Sequence, residues 1–175
     1  MRKFLAPAAI LVTAVTFPSL ALAHPGHVGA MDVAAGLAHP LSGLDHVAAL
    51  LGAGFLAAML GRRGLLCVPV AFLAALVLGF VLGQFRVELP LVEAVLAVSG
   101  LVMIGAGLVA KKLATGVALA ISAGFALFHG VAHGLEVPAT VDGFGFGLGF
   151  IVLSALLVGS GMALTALGGK ATATA

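Results

Sequence analysis

The sequence predicts an all-α fold, a polytopic membrane helical bundle forming a single domain. Three observations carry that expectation. The 175 residues are 62% hydrophobic and only 8% charged, whereas a soluble domain carries about 25% charged residues. The apolar residues gather into stretches near the roughly 20 residues that span a bilayer as a helix. Glycine occurs 25 times, and glycine is more frequent in membrane helices than in soluble ones.

The N-terminal segment has the layout of a secretory signal peptide over residues 1–23. Arg2 and Lys3 precede an apolar run from Phe4 to Phe17, Pro18 interrupts it, and Ala21-Leu22-Ala23 supplies a small-x-small cleavage site. A retained first helix is the competing reading. Cleavage leaves a transmembrane domain over 24–175 that starts His24-Pro25-Gly26-His27.

Five apolar stretches follow: Met31 to Leu60, Leu65 to Gly83, Leu91 to Ala110, Ala114 to Leu135 and Gly143 to Leu167. Their connections are short, so consecutive helices are expected to be antiparallel. Alternating spans put Arg62, Arg63, Lys111, Lys112 and Lys170 on one side, with Arg86 alone on the other beside Glu88. Cytoplasmic loops carry the excess of Lys and Arg. The expected location is therefore the bacterial inner membrane, with the mature N-terminus periplasmic and the C-terminus cytoplasmic.

The remaining composition is largely structural. Loss of Arg2 and Lys3 with the leader balances the charge, and no basic patch points to nucleic acid. Cys67 is the single cysteine, expected as a small apolar packing residue. Met103 is expected in the core. Gly79 and Gly83, Gly143 and Gly147, and Gly145 and Gly149 are four apart, the spacing that lets helix backbones approach closely in lipid. With no Trp or Tyr, anchoring at the membrane surface falls to Phe and the charged loops.

Against this background the ionisable residues inside spans stand out. A charged side chain at a membrane helix centre costs about 2.5 kcal/mol or more, and such groups usually line a site or a pathway. The first span contains His39-Pro40-Leu41-Ser42-Gly43-Leu44-Asp45-His46. His39 and His46 are two helical turns apart and would share a face of a regular helix. Pro40 favours an extended His39 and a helix break or start there. The fourth span ends with His129, His133 and Glu136, spaced four and three apart on one face, so adjacent turns can address one ion. Gly130 and Gly134 lie on a neighbouring strip and would admit another helix.

Topology joins the two motifs. The first span enters from outside and the fourth leaves to the outside, so both lie in the outer half of the membrane. Antiparallel packing would set His46 beside His129, and His39 beside His133 and Glu136. The expected metal residues are His39, Asp45, His46, His129, His133 and Glu136, with His24 and His27 as a capture device above them. Imidazole and carboxylate ligands without thiolate suit Ni2+ or Co2+ and do not exclude Zn2+.

Both motifs resemble the patterns of the HupE/UreJ family of nickel/cobalt permeases. The first, His-Pro-x-x-Gly-x-Asp-His, is matched by His39, Pro40, Gly43, Asp45 and His46. The second, Phe-His-Gly-x-Ala-His-Gly-x-Glu, is matched by Phe128, His129, Gly130, Ala132, His133, Gly134 and Glu136. The leader, the His-containing mature start and the small multi-span body extend the resemblance over nearly the whole chain. It implies a permease that supplies nickel or cobalt, often for hydrogenase or urease maturation.

The functional expectation is thus uptake of Ni2+ or Co2+ through an intramembrane His/Asp/Glu site, with no resident cofactor and no enzymatic activity. Its partners are the ion and the bilayer; the oligomeric state is left open. The sequence has no Gly-x-x-x-x-Gly-Lys-Ser/Thr phosphate loop, so it hydrolyses no ATP itself. Two alternatives use the same side chains. One is an intramembrane zinc-dependent hydrolase with Asp45 or Glu136 as base. The other is a haem-binding electron carrier with paired axial histidines.

Overall fold

Apolar helices in lipid must satisfy their own backbone groups, and this chain does so almost throughout. The computed structural model describes residues 33–137 and 143–171. The expected leader and the residues His24 and His27 lie outside the described residues. Among the described residues, six α-helices follow in order: α1 (Val33–Ala38), α2 (Leu44–Met59), α3 (Arg62–Gln84), α4 (Val92–Leu108), α5 (Thr115–Glu136) and α6 (Phe144–Ala171). Short 3-10 turns occupy His39–Leu41 and Ala110–Lys112.

Among the described residues, three helices are long and apolar enough to cross a membrane: Arg62–Gln84, Thr115–Glu136 and Phe144–Gly169. The stretch expected as one continuous first span is broken. Val33–Leu41 and Leu44–Met59 pass the same test only as a pair, bent by 86°. Pro40 sits inside the 3-10 turn, and Gly43 is extended at φ −124° and ψ 128° before α2 starts. The two-turn argument placing His39 and His46 on one helical face therefore does not hold. They sit on opposite sides of a corner. Helix α4 is shorter, with 17 residues, or about 26 Å at 1.5 Å per residue.

Glycines determine how the helices approach one another. A Cβ on Gly79 would strike the Leu127 carbonyl of α5, and one on Gly83 the Val131 carbonyl. From the other side, a Cβ on Gly130 would strike the Leu76 carbonyl, and one on Gly134 the Phe80 carbonyl. The most extensive packing in the bundle, α3 against α5, is thus a reciprocal small-residue contact. Gly36 and Gly149 do the same between α1 and α6, and Gly54 and Gly161 between α2 and α6. The contact registers of α3 with α5 and of α2 with α4 rise together along the chain. Alternating helix directions produce this pattern.

Phe72, Leu76 and Phe80 of α3, Leu56 of α2, Met103 of α4 and Phe150 of α6 fill the centre. Met103 is fully buried, as expected of a core residue. Leu66, Leu78, Leu101, Leu156 and Leu164 point outward, which suits a lipid-facing surface. Cys67 is exposed, so it faces outward instead of packing in the interior.

Candidate metal centre

Helices α2 and α5 carry the two motifs, yet their backbones scarcely approach each other. Helix α2 packs on α4 and α6, and α5 packs on α3. The gap left between α2 and α5 is bridged by imidazoles. His46 meets His129 edge-on with ring centroids 4.9 Å apart, and His133 at a tilt with centroids 4.5 Å apart. His39 lies beside His133 and Glu136, with Nε2 2.7 Å from His133 Nδ1 and 2.9 Å from Glu136 Oε2. This is the pairing expected from antiparallel spans, reached through a broken helix.

The side chains form two groups with ligand atoms within 4.8 Å of one another: His46, His129 and His133, and His39, His133 and Glu136. His133 belongs to both. In the second group the three atoms are separated by 2.7, 2.9 and 3.3 Å. A metal–ligand distance of about 2.1 Å puts neighbouring ligands of an octahedron about 3.0 Å apart. The group therefore has the dimensions of one face of a coordination sphere. It opens to the surface through Glu136, whose side chain is 49% exposed, while His133 is 2% exposed. Glu136 also lines a cavity of about 390 Å³ with Glu88, Glu93, Val92, Ala132 and Leu135.

Asp45 belongs to neither group. Its Oδ1 lies 2.8 Å from His46 Nδ1, so it stands behind that imidazole. A carboxylate accepting from Nδ1–H leaves the Nε2 lone pair free for a ligand. His46 Nε2 is buried without a hydrogen-bond partner among the described residues. Gly43 makes the pair sterically feasible, because a Cβ there would press on Asp45 Oδ1 and His46 Nδ1.

Two supporting contacts were not visible in the motifs. Ser99 of α4 is fully buried with Oγ 2.7 Å from the Leu96 carbonyl and 2.9 Å from His129 Nε2. A carbonyl only accepts, so the single hydroxyl proton goes to Leu96. His129 Nε2 must then donate to Ser99, which leaves Nδ1 as the nitrogen with a lone pair. The second contact is at the end of α5. Arg86 donates from Nη1 to the Leu135 carbonyl and from Nη2 to the Val137 carbonyl, each at 2.7 Å. Gln84 Nε2 donates to the Gly134 carbonyl at 2.9 Å. These donors satisfy carbonyls that a helix C-terminus leaves open and hold the turn carrying Glu136. Arg86 adopts a left-handed φ of 60° to do so.

The fold and this cluster define a helical membrane protein with a histidine–carboxylate cluster in which His129 and His133 are buried. The profile of the family described as HupE / UreJ protein matches residues 11–175. The chain is 40% identical over 158 residues to Protein HupE of Rhizobium leguminosarum bv. viciae, covering 89% of this chain and 81% of that protein. No solved structure matches it. The chain belongs to the HupE/UreJ family.

Proposed function

We propose that this protein carries Ni2+ or Co2+ inward across the bacterial inner membrane, with the ion as cargo and no resident cofactor. The observation that carries the reading is the meeting of His39, His46, His129, His133 and Glu136 from two distant segments between apolar helices. Ionisable side chains are not gathered in such a place without a function. Nitrogen and oxygen donors without thiolate suit these two ions, and Zn2+ lies within the same ligand range. Family membership supports a metal transporter and lends no support to the hydrolase alternative.

The proposed topology has five spans, counting the bent α1–α2 pair as the first and α4 as the third. The positive-inside rule sets the mature N-terminus in the periplasm and the C-terminus in the cytoplasm. The His39/His133/Glu136 group then receives an ion from the periplasmic side, and the His46/His129/His133 group lies deeper. The inside-negative membrane potential favours inward movement by about 2.3 kcal/mol per charge per 100 mV. His24 and His27, exposed by removal of the leader, would capture metal above this path. Replacing both is expected to reduce uptake only at limiting metal.

The direct test is uptake of radioactive nickel into proteoliposomes by wild type, His46→Ala, His129→Ala and Glu136→Gln. Accumulation by wild type and loss in the three variants is the expected result. Equal uptake by all four defeats the site, and competition by Co2+ and Zn2+ ranks the ions.

A further inference from the structure

We propose that His133 is a ligand shared by two overlapping metal sites, so that the chain holds one ion at a time. This rests on the metal-carrying reading above and goes beyond it by specifying stoichiometry and order. The outer site is His39, His133 and Glu136, and the inner site is His46, His129 and His133. His133 turns Nδ1 to the outer site, 2.7 Å from His39 Nε2 and 3.3 Å from Glu136 Oε2. Its Nε2 is buried and has no hydrogen-bond partner among the described residues. The ring also lies 4.5 Å from that of His46, whose own Nε2 is buried and unpartnered. Two unsatisfied nitrogens in a dry interior are costly to leave unmade, and an ion between them removes that cost.

A neutral imidazole has one nitrogen with a free lone pair and one that carries hydrogen. His133 can therefore complete the outer site or the inner site, but not both. An ion in the outer site leaves the inner one with His46 and His129 alone. An ion in the inner site leaves His39 and Glu136 alone. Repulsion between two dications on opposite edges of one ring, in a medium of low dielectric, acts in the same direction. An ion that moves inward exchanges Nδ1 of His133 for Nε2, and exchanges His39 and Glu136 for His46 and His129; the ring proton passes from Nε2 to Nδ1, where His39 Nε2 and Glu136 Oε2 can accept from it. Neither position is fully enclosed by ligands of its own. A transport site needs this property, because binding must be strong enough to admit the ion and weak enough to release it.

The experiment is equilibrium binding of Co2+ to the purified full chain in detergent, with the metal counted per chain and the visible absorption recorded. The chain with His24→Ala and His27→Ala, which leaves only the His133 cluster, is expected to saturate at one ion. His129→Ala keeps the outer site, and the double variant His39→Ala, Glu136→Gln keeps the inner. Each is expected to bind one ion, with different spectra, because only the outer site supplies a carboxylate oxygen. With His24 and His27 replaced by Ala, so that the N-terminal pair holds no metal, two ions per chain overturn exclusive occupancy, a result that no folding defect can mimic. Loss of binding in one of the two variants, with helical circular dichroism retained, overturns the existence of two sites. Absence of Co2+ from wild type overturns the metal-carrying reading itself.

Discussion

Asp45 Oδ1 lies 2.8 Å from His46 Nδ1, on the side of the ring turned away from the buried, unpartnered Nε2. The carboxylate thus orients the imidazole and fixes its tautomer, as outer-shell partners of metal-bound histidines do. Removing such a partner typically lowers metal affinity about 10- to 100-fold. In the His39→Ala, Glu136→Gln background, where only the inner site remains, Asp45→Ala is expected to weaken Co2+ binding by that factor. Asp45→Asn, which can still accept from Nδ1, should lose less. Titration of the detergent-purified protein checks this. A loss in Asp45→Asn as complete as that in His46→Ala would place the carboxylate on the ion.

Ser99 acts on His129 through the proton it cannot share. With its hydroxyl committed to the Leu96 carbonyl, Oγ accepts from His129 Nε2. Ser99→Ala removes that acceptor inside a buried pocket and releases the ring to either tautomer. The expected result is about a 10-fold or greater loss of inner-site affinity, with the fold retained. Nitrogen NMR of labelled histidine should show His129 protonated at Nε2 in wild type and mixed in Ser99→Ala. A single unchanged tautomer in both proteins rejects the role.

The α3–α5 contact depends on the absence of side chains at Gly79, Gly83, Gly130 and Gly134. Gly130→Val forces the backbones apart at the level of His129 and His133. Overpacking of this kind costs about 1–3 kcal/mol. Lower thermal stability and weaker metal binding should appear together, measured by heating the purified protein with and without Co2+. Gly124→Val on the same helix meets open space and is expected to change neither.

Arg86 and Gln84 hold the last turn of α5 from the α3 side. Hydrogen bonds to charged groups contribute about 1.5–3 kcal/mol each, and Arg86 makes two. Arg86→Gln should loosen the turn carrying Glu136 and raise the nickel concentration for half-maximal uptake more than it lowers the maximal rate. Arg86→Lys, a point charge without the planar fork, should recover only part of the loss. Equal half-saturation in all three proteins would reduce Arg86 to a loop residue.

Much of this organisation is legible in the residues alone. Apolar stretches near bilayer length announce helices, because a backbone in lipid must satisfy itself. The spacing of His129, His133 and Glu136 follows from helical periodicity, and all three reach the cluster. Pro40 announces a break, since it removes a donor and crowds the preceding turn. The family motifs bring the first group of histidines together with the second. What the motifs do not contain is the distance between helices and the side-chain rotamers, which depend on where each pair crosses. The corner at residues 39–43 turns a presumed shared face into two positions. Helix crossing brings Ser99 to His129 and Arg86 to the end of α5, and rotamers set Asp45 behind His46. Residue type and spacing along one chain thus determine which groups must leave the lipid together. Only the packing of separate helices, which no local periodicity encodes, decides that they divide into two groups meeting at His133.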